Sequence, residues 1–146
     1  MCAVPRIQQY CPDKFLPQSH DRFLMDTFQI LSTLRDVTSF LDVFHSDLLP
    51  SSRSTLKPCT LIVNADPHTE GVSHWLAIRL TPRSSSAYYF DSNGIIPLAP
   101  SIQDFLHQIC ITWQYNKRQL QGLTSAVCGQ YCCLFTIFMD RGYTPQ

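Results

Sequence analysis

The sequence has little charge and no excess of either sign. Charged residues make up 15% of the 146 residues, and eleven basic residues balance eleven acidic ones. Because binding to nucleic-acid phosphates requires concentrated Lys and Arg, a strongly basic nucleic-acid-binding face is not indicated. The hydrophobic fraction of 45% is nevertheless that of a globular protein, and the length suits one domain with its own core.

Long apolar runs are also missing. The longest extends from Tyr131 to Met139, whereas a membrane-spanning helix needs about 20 apolar residues. The N-terminus has no positive segment leading into an apolar run, so we expect no secretory signal. Residues 1–24 are polar and contain three prolines. We expect them to form an irregular N-terminal arm ahead of a single domain at 25–146.

The seven cysteines do not show the spacing of a metal site or of a disulfide framework. Their number is odd, which favours reduced thiols in an intracellular setting. Cys128 and Cys132 are four residues apart, but neither a second cysteine pair nor a closely spaced histidine pair accompanies them. We therefore predict no metal site.

Hydrophobic periodicity predicts an α+β protein. We expect a mixed or antiparallel sheet of about four to five strands packed against a buried helix. In the first helix Phe28, Leu31 and Leu34 are expected on the buried face, and Ser101 is expected to cap the second. Residues 40–44 are apolar but are not assigned to a strand. The predicted helices are 27–37, 101–110 and 125–140, and the predicted strands are 59–64, 75–80, 87–91 and 112–115.

The stretch Gln121–Cys133 is the most informative part of the chain. Cys128 lies near the start of the buried helix, where unpaired N–H groups and partial positive charge favour a thiolate. Gly129 is expected to let a substrate carbonyl approach the thiol. The alternative is a structural buried cysteine, which is our interpretation of Cys132 and Cys133. For Cys128 alone, both interpretations stay open.

His74 and Asp91 stand at the ends of two predicted neighbouring strands. His74 precedes one strand directly, and Asp91 ends the next, 17 residues later. If the strands are antiparallel, both side chains lie at the same edge of the sheet. His74 is then a candidate general base for Cys128, with Asp91 holding its tautomer. The alternative for His74 is a surface loop histidine, in which case His68 is the competing base. The alternative for Asp91 is an aspartate that only opens the turn at 92–94.

Gln121 precedes Cys128 by seven residues. Its side-chain amide can donate a hydrogen bond to a developing oxyanion, together with the backbone N–H of Cys128. The alternative is an exposed loop glutamine, because Gln114, Gln119 and Gln130 lie nearby. The order His, Asp, Gln, Cys is a stronger signal than any one of its members.

These residues resemble the adenain-like cysteine endopeptidases, the family of the adenovirus maturation protease and its relatives in Polinton/Maverick-type elements. The resemblance extends from about Phe28 to Phe138, and both the His–Asp and the Gln–Cys spacings look like the adenoviral pattern. The wider clan includes the ubiquitin-like-protein proteases. The matching motifs are Ile62-Val-Asn64, His74-Trp75, Tyr89-Phe-Asp91, Gln121-Gly122 and Ser125–Cys133.

The resemblance implies a cysteine-protease fold in a single catalytic domain at 25–146. It implies His74 as base, Asp91 as orienting acid, Gln121 as oxyanion donor and Cys128 as nucleophile. Aspartate stands where many family members carry glutamate. Family members cleave peptide bonds, and the viral ones process capsid and core precursors. Protein substrates, a monomer and an intracellular location (host nucleus or cytoplasm, and the virion) follow as expectations.

The resemblance also raises the question of activators. In adenoviral proteases a cysteine in a setting like that of Cys110 forms a disulfide with an activating peptide, and DNA is a second activator. From the residues alone, Cys110 is instead a core residue of the 101–110 helix, and both roles stay open. The zero net charge argues against DNA, since only Lys117 and Arg118 form a small basic pair in that region. No cofactor is required by the sequence itself.

Two other functions remain as alternatives. The first is a protease of ubiquitin-like modifiers, which keeps the chemistry and changes the substrate. The second is a catalytically inactive, domesticated binding module. The intact set of His74, Asp91, Gln121 and Cys128 argues against the inactive module.

Overall fold

The computed structural model describes residues 24–51, 57–122 and 125–145. Nearly all of the predicted N-terminal arm therefore lies outside the described residues, and the domain boundary at 25 stays a prediction. A short 3-10 turn, Pro82–Ser84, joins the third and fourth strands. The helices are α1 (Thr27–Leu34), α2 (Pro100–Ile109) and α3 (Cys128–Asp140), and the strands are β1 (Phe40–His45), β2 (Cys59–Asn64), β3 (Trp75–Thr81), β4 (Ser86–Phe90) and β5 (Thr112–Tyr115).

The five strands form one mixed sheet in the order β1-β2-β3-β4-β5. The two central pairings, β2 with β3 and β3 with β4, are antiparallel, and the outer pairings are parallel. The prediction of an α+β protein with a mixed sheet of four to five strands is confirmed. The strand at 40–45 was missed because an edge strand buries only part of its residues, so its apolar pattern is incomplete.

Each face of the sheet has its own core. Along β3, Trp75 and Ala77 pack with α1 and α3 on one face, whereas Leu76 and Ile78 pack with α2 on the other. This alternation follows from the two-residue period of a strand. Strand β2 is buried along its whole length, which explains its continuous apolar sequence. The layers are therefore helix pair, sheet and single helix, with α3 against the sheet as predicted.

The predicted buried face of the first helix is confirmed at Leu34 and wrong at Phe28 and Leu31. Ile30 and Leu34 are fully buried, whereas Phe28 is 75% exposed and Leu31 is 37% exposed. A helix of eight residues offers more than one apolar stripe, and packing against α3 selects the one through Ile30. The cap is Asp26, in a reciprocal capping box with Gln29.

The starts of the other two helices also differ from the prediction. The N-cap of α2 is Ala99, with Pro100 at its first position, so Ser101 is not the cap. Helix α3 begins at Cys128 rather than at Ser125, and Val127 caps it without a side-chain hydrogen bond. The thiol therefore stands on the first residue of the helix. Within the described residues, no helix is long and apolar enough to cross a membrane.

Candidate active site

The sheet topology brings His74 and Asp91 to one end of the sheet. His74 directly precedes β3 and Asp91 directly follows β4, and these two strands are antiparallel. The carbonyl of His74 accepts a hydrogen bond from the N–H of Ala65 at 2.9 Å, which fixes the backbone just before β3. The predicted meeting of the two side chains at one edge is found.

His74 and Asp91 form a direct pair. The distance from His74 Nε2 to Asp91 Oδ1 is 2.8 Å, and the two side chains are only 21% and 7% exposed. The same Oδ1 accepts the backbone N–H of Asn93 at 2.8 Å. Asp91 therefore both orients the imidazole and opens the following turn, so the two roles weighed for it are compatible.

Asn116 was not identified from the sequence as a site residue. Its Oδ1 accepts the backbone N–H of Asp91 at 2.8 Å, and its Nδ2 donates to the backbone carbonyl of Asp91. Asn116 is 4% exposed and follows β5. In the sequence, a lone asparagine that binds the backbone of another strand cannot be distinguished from an asparagine in a turn.

The electrostatics around His74 favour its charged form. Burial alone lowers the pKa of the imidazole, but hydrogen bonds with Asp91 and with the Cys128 thiol outweigh it and raise the pKa to about 9. The negative charges of the two partners act in the same direction. Cys128 and Asp91 therefore flank one imidazole, which is the relation that a nucleophile, a base and an orienting acid require.

Cys128 is held at the centre of the fold. It is 2% exposed, and the backbone N–H of Trp75 donates to its sulfur at 3.4 Å. Trp75 is itself fixed, because its indole Nε1 donates to the carbonyl of Met25 at 2.6 Å. The sulfur therefore stands on the first residue of α3 and accepts a backbone N–H from the first residue of β3.

The role predicted for Gly129 is wrong. A Cβ on Gly129 would lie 2.9 Å from Met25 Cβ and 3.1 Å from Trp75 Cδ1. The missing side chain is therefore explained by close packing of α3 against Met25 and Trp75, not by approach of a substrate carbonyl. The sequence could not reveal this contact because Met25 lies 104 residues away along the chain.

Gln121 is a buried side chain and not an exposed loop residue. It is 7% exposed, and its Nε2 donates to the backbone carbonyl of Ser125 at 3.3 Å. Its Oε1 accepts the hydroxyl of Ser92 at 2.7 Å. The amide thus lies against the segment that leads into Cys128.

The competing histidine is engaged elsewhere. The ring Nδ1 of His68 pairs with Asp47 at 2.5 Å, and its backbone N–H donates to the same carboxylate at 2.9 Å. His107 is exposed on α2. Among the histidines of residues 24–51 and 57–122, His74 is the one whose pKa is influenced by the thiol of Cys128.

The other thiols of α3 are structural. Burial raises the pKa of Cys133 to about 12 and that of Cys132 well above its ordinary value. Both side chains belong to the core between α3 and the sheet. The interpretation of these two cysteines as packing residues agrees with their burial, and it separates them from Cys128.

Cys110 lies at the C-cap of α2 rather than inside the helix. It is 7% exposed, and its thiol donates to the carbonyl of Leu106 at 2.9 Å. This geometry favours the core role, while a disulfide with an activating peptide stays a prediction. Among the described residues, no group of three or more His, Cys, Asp or Glu side chains is arranged to hold a metal ion.

Comparison with known proteins places the chain beside adenovirus proteases. It is 29% identical over 116 residues to the protease of porcine adenovirus A serotype 3, covering 70% of this chain and 56% of the relative. It is 32% identical over 109 residues to the protease of human adenovirus B serotype 3, covering 66% and 52%. The chain thus spans about half the length of the curated relatives it matches. The chain is similar to adenovirus proteases, as the motifs predict.

Two other comparisons add little. No family model matches the chain. ChlaDub1 from Chlamydia trachomatis has a similar structure at a TM-score of 0.38 and 22% identity, covering 62% of this chain and 51% of that protein. A likeness of that strength carries no argument about substrate.

Proposed function

We propose that the protein is a cysteine endopeptidase in which Cys128 is the nucleophile and His74 the base. The observation that carries the proposal is the buried His74–Asp91 pair at 2.8 Å, together with the Cys128 thiol as a second partner that raises the pKa of the same imidazole. A base with an elevated pKa next to a thiol favours the imidazolium–thiolate pair, which is the reactive form of a cysteine nucleophile.

The reaction follows from these positions. His74 takes the thiol proton, and the Cys128 sulfur attacks the scissile carbonyl carbon to give a tetrahedral oxyanion. Gln121 Nε2 and the backbone N–H at the start of α3 donate hydrogen bonds to that oxyanion. His74 then protonates the leaving amine, which leaves an acyl-thioester. Water, deprotonated by His74, hydrolyses the thioester and regenerates the thiol.

The relationship to adenovirus proteases supports protein substrates of the viral or mobile-element kind. We propose precursors of capsid and core proteins as these substrates, cleaved inside the host cell or in the particle. An activating peptide attached through Cys110 belongs to the same proposal and is separable from the chemistry. A panel of maturation-site peptides and ubiquitin-like modifier conjugates distinguishes the two substrate classes.

The chemistry is tested by the rate at which iodoacetamide alkylates each cysteine, mapped by mass spectrometry. We expect Cys128 to react faster than the other thiols, and Cys128→Ala to abolish peptide cleavage. The matched control is Cys133→Ala in the same helix, which removes a thiol whose pKa is about 12 and should leave cleavage intact. Full activity in Cys128→Ala would refute the proposal.

A further inference from the structure

Ser92 is a fully buried serine that the proposed chemistry does not use. It follows Asp91 directly, and its hydroxyl lies 2.7 Å from Gln121 Oε1. Its carbonyl accepts the backbone N–H of Leu120 at 2.7 Å and that of Gln121 at 3.2 Å. Ser92 therefore holds both the backbone and the side chain of the glutamine.

These contacts determine which end of the amide faces which partner. A backbone carbonyl can only accept, so the carbonyl of Ser125, 3.3 Å away, requires the Nε2 end of Gln121. The Oε1 end then needs a donor, because a buried acceptor without one is costly. The hydroxyl of Ser92 is that donor. With Oε1 held, one Nε2 hydrogen points to Ser125 and the second is left for another acceptor.

We propose that Ser92 is a positioning residue for oxyanion stabilisation: it holds the Gln121 amide so that its second N–H faces the reacting carbonyl oxygen. The inference rests on the proposed function and deepens it. Ser92 adjoins Asp91. The same turn therefore holds both the carboxylate that orients His74 and the Gln121 amide that donates a hydrogen bond to the oxyanion. Preorganised donors act mainly in the transition state, where the charge develops.

The test is Ser92→Ala, with the rate of peptide cleavage, the affinity of a peptide aldehyde and the alkylation of Cys128 measured together. We expect kcat to fall about tenfold at unchanged KM, less than the ~10²-fold that loss of the whole donor costs. Aldehyde affinity should fall in parallel, because the hemithioacetal oxygen occupies the oxyanion position. The alkylation rate of Cys128 should not change, since alkylation needs no oxyanion donor. Ser84→Ala, an exposed serine after β3, is the matched control and should change none of the three.

A double variant keeps the test valid if Ser92→Ala folds poorly. In Gln121→Ala the acceptor is already gone, so adding Ser92→Ala leaves no buried acceptor unpaired. We expect the double variant to have the same kcat as Gln121→Ala. A further drop in kcat, or unchanged kcat and aldehyde affinity in well-folded Ser92→Ala, would overturn the inference. If the unmodified protein neither cleaves peptides nor has a fast-reacting Cys128, the proposed function fails instead.

Discussion

Replacing Asp91 with asparagine separates the charge of this residue from its geometry. Asp91 Oδ1 accepts both from His74 and from the backbone N–H of Asn93. An asparagine Oδ1 can keep both hydrogen bonds, so Asp91→Asn removes the negative charge while preserving the turn. We expect the loss of this charge to lower the pKa of His74.

The size of the effect follows from that pKa. It stands at about 9 against an ordinary value of 6.5, which corresponds to roughly 3 kcal/mol at about 1.4 kcal/mol for each unit of pKa. Burial lowers the pKa, while Asp91 and Cys128 raise it. Without the carboxylate charge, we expect a fall of at least about one unit, or ~1.4 kcal/mol.

The sign of the stability effect is determined by the same shift. Because the folded pKa of His74 exceeds the unfolded one, the pair stabilises the fold fully below about pH 6.5. That contribution is lost as the pH rises through about 9. The difference in unfolding free energy between the unmodified protein and Asp91→Asn should therefore shrink across this interval. Urea titrations at several pH values measure it.

The direct assay is an NMR titration of the histidine Cε1–H signals, with His74 assigned by its loss in His74→Gln. The matched control is Asp47→Asn, which alters the other histidine–aspartate pair, with His68. That control should leave the pKa of His74 unchanged. If the pKa of His74 stays near 9 in Asp91→Asn, Asp91 is not the source of the shift and its assignment as orienting acid is wrong.

Two further changes test the site and its packing. Gln121→Ala should lower kcat about 10²-fold without slowing alkylation of Cys128, as steady-state kinetics and mass spectrometry will show; a normal rate removes Gln121 from the site. Gly129→Ala should cost ~1–3 kcal/mol in urea denaturation, because the new Cβ would lie 2.9 Å from Met25 Cβ. In a Met25→Gly background, which removes that Cβ, the loss caused by Gly129→Ala should be smaller, and the absence of any loss in Gly129→Ala would contradict the packing role.

The central elements could be predicted because their signals are local. Strand β2 is buried on both faces and is continuously apolar, and the buried face of α2 repeats at helical spacing. Strand β1 and the orientation of α1 could not be predicted in this way. Ile30 is buried and Phe28 exposed because of what packs against them, and both residues are equally apolar.

The sequence by itself determined the chemistry that is available, through the order of His74, Asp91, Gln121 and Cys128. Residue types and spacings are enough for this because a nucleophile, a base and a donor have few chemical substitutes. Only the tertiary structure decided how the set is held together. Asn116 clamps Asp91, Ser92 holds Gln121, and Met25 fills the space beside Gly129. These contacts join residues distant along the chain, and hydrogen-bond direction and packing distance are properties of the folded arrangement alone.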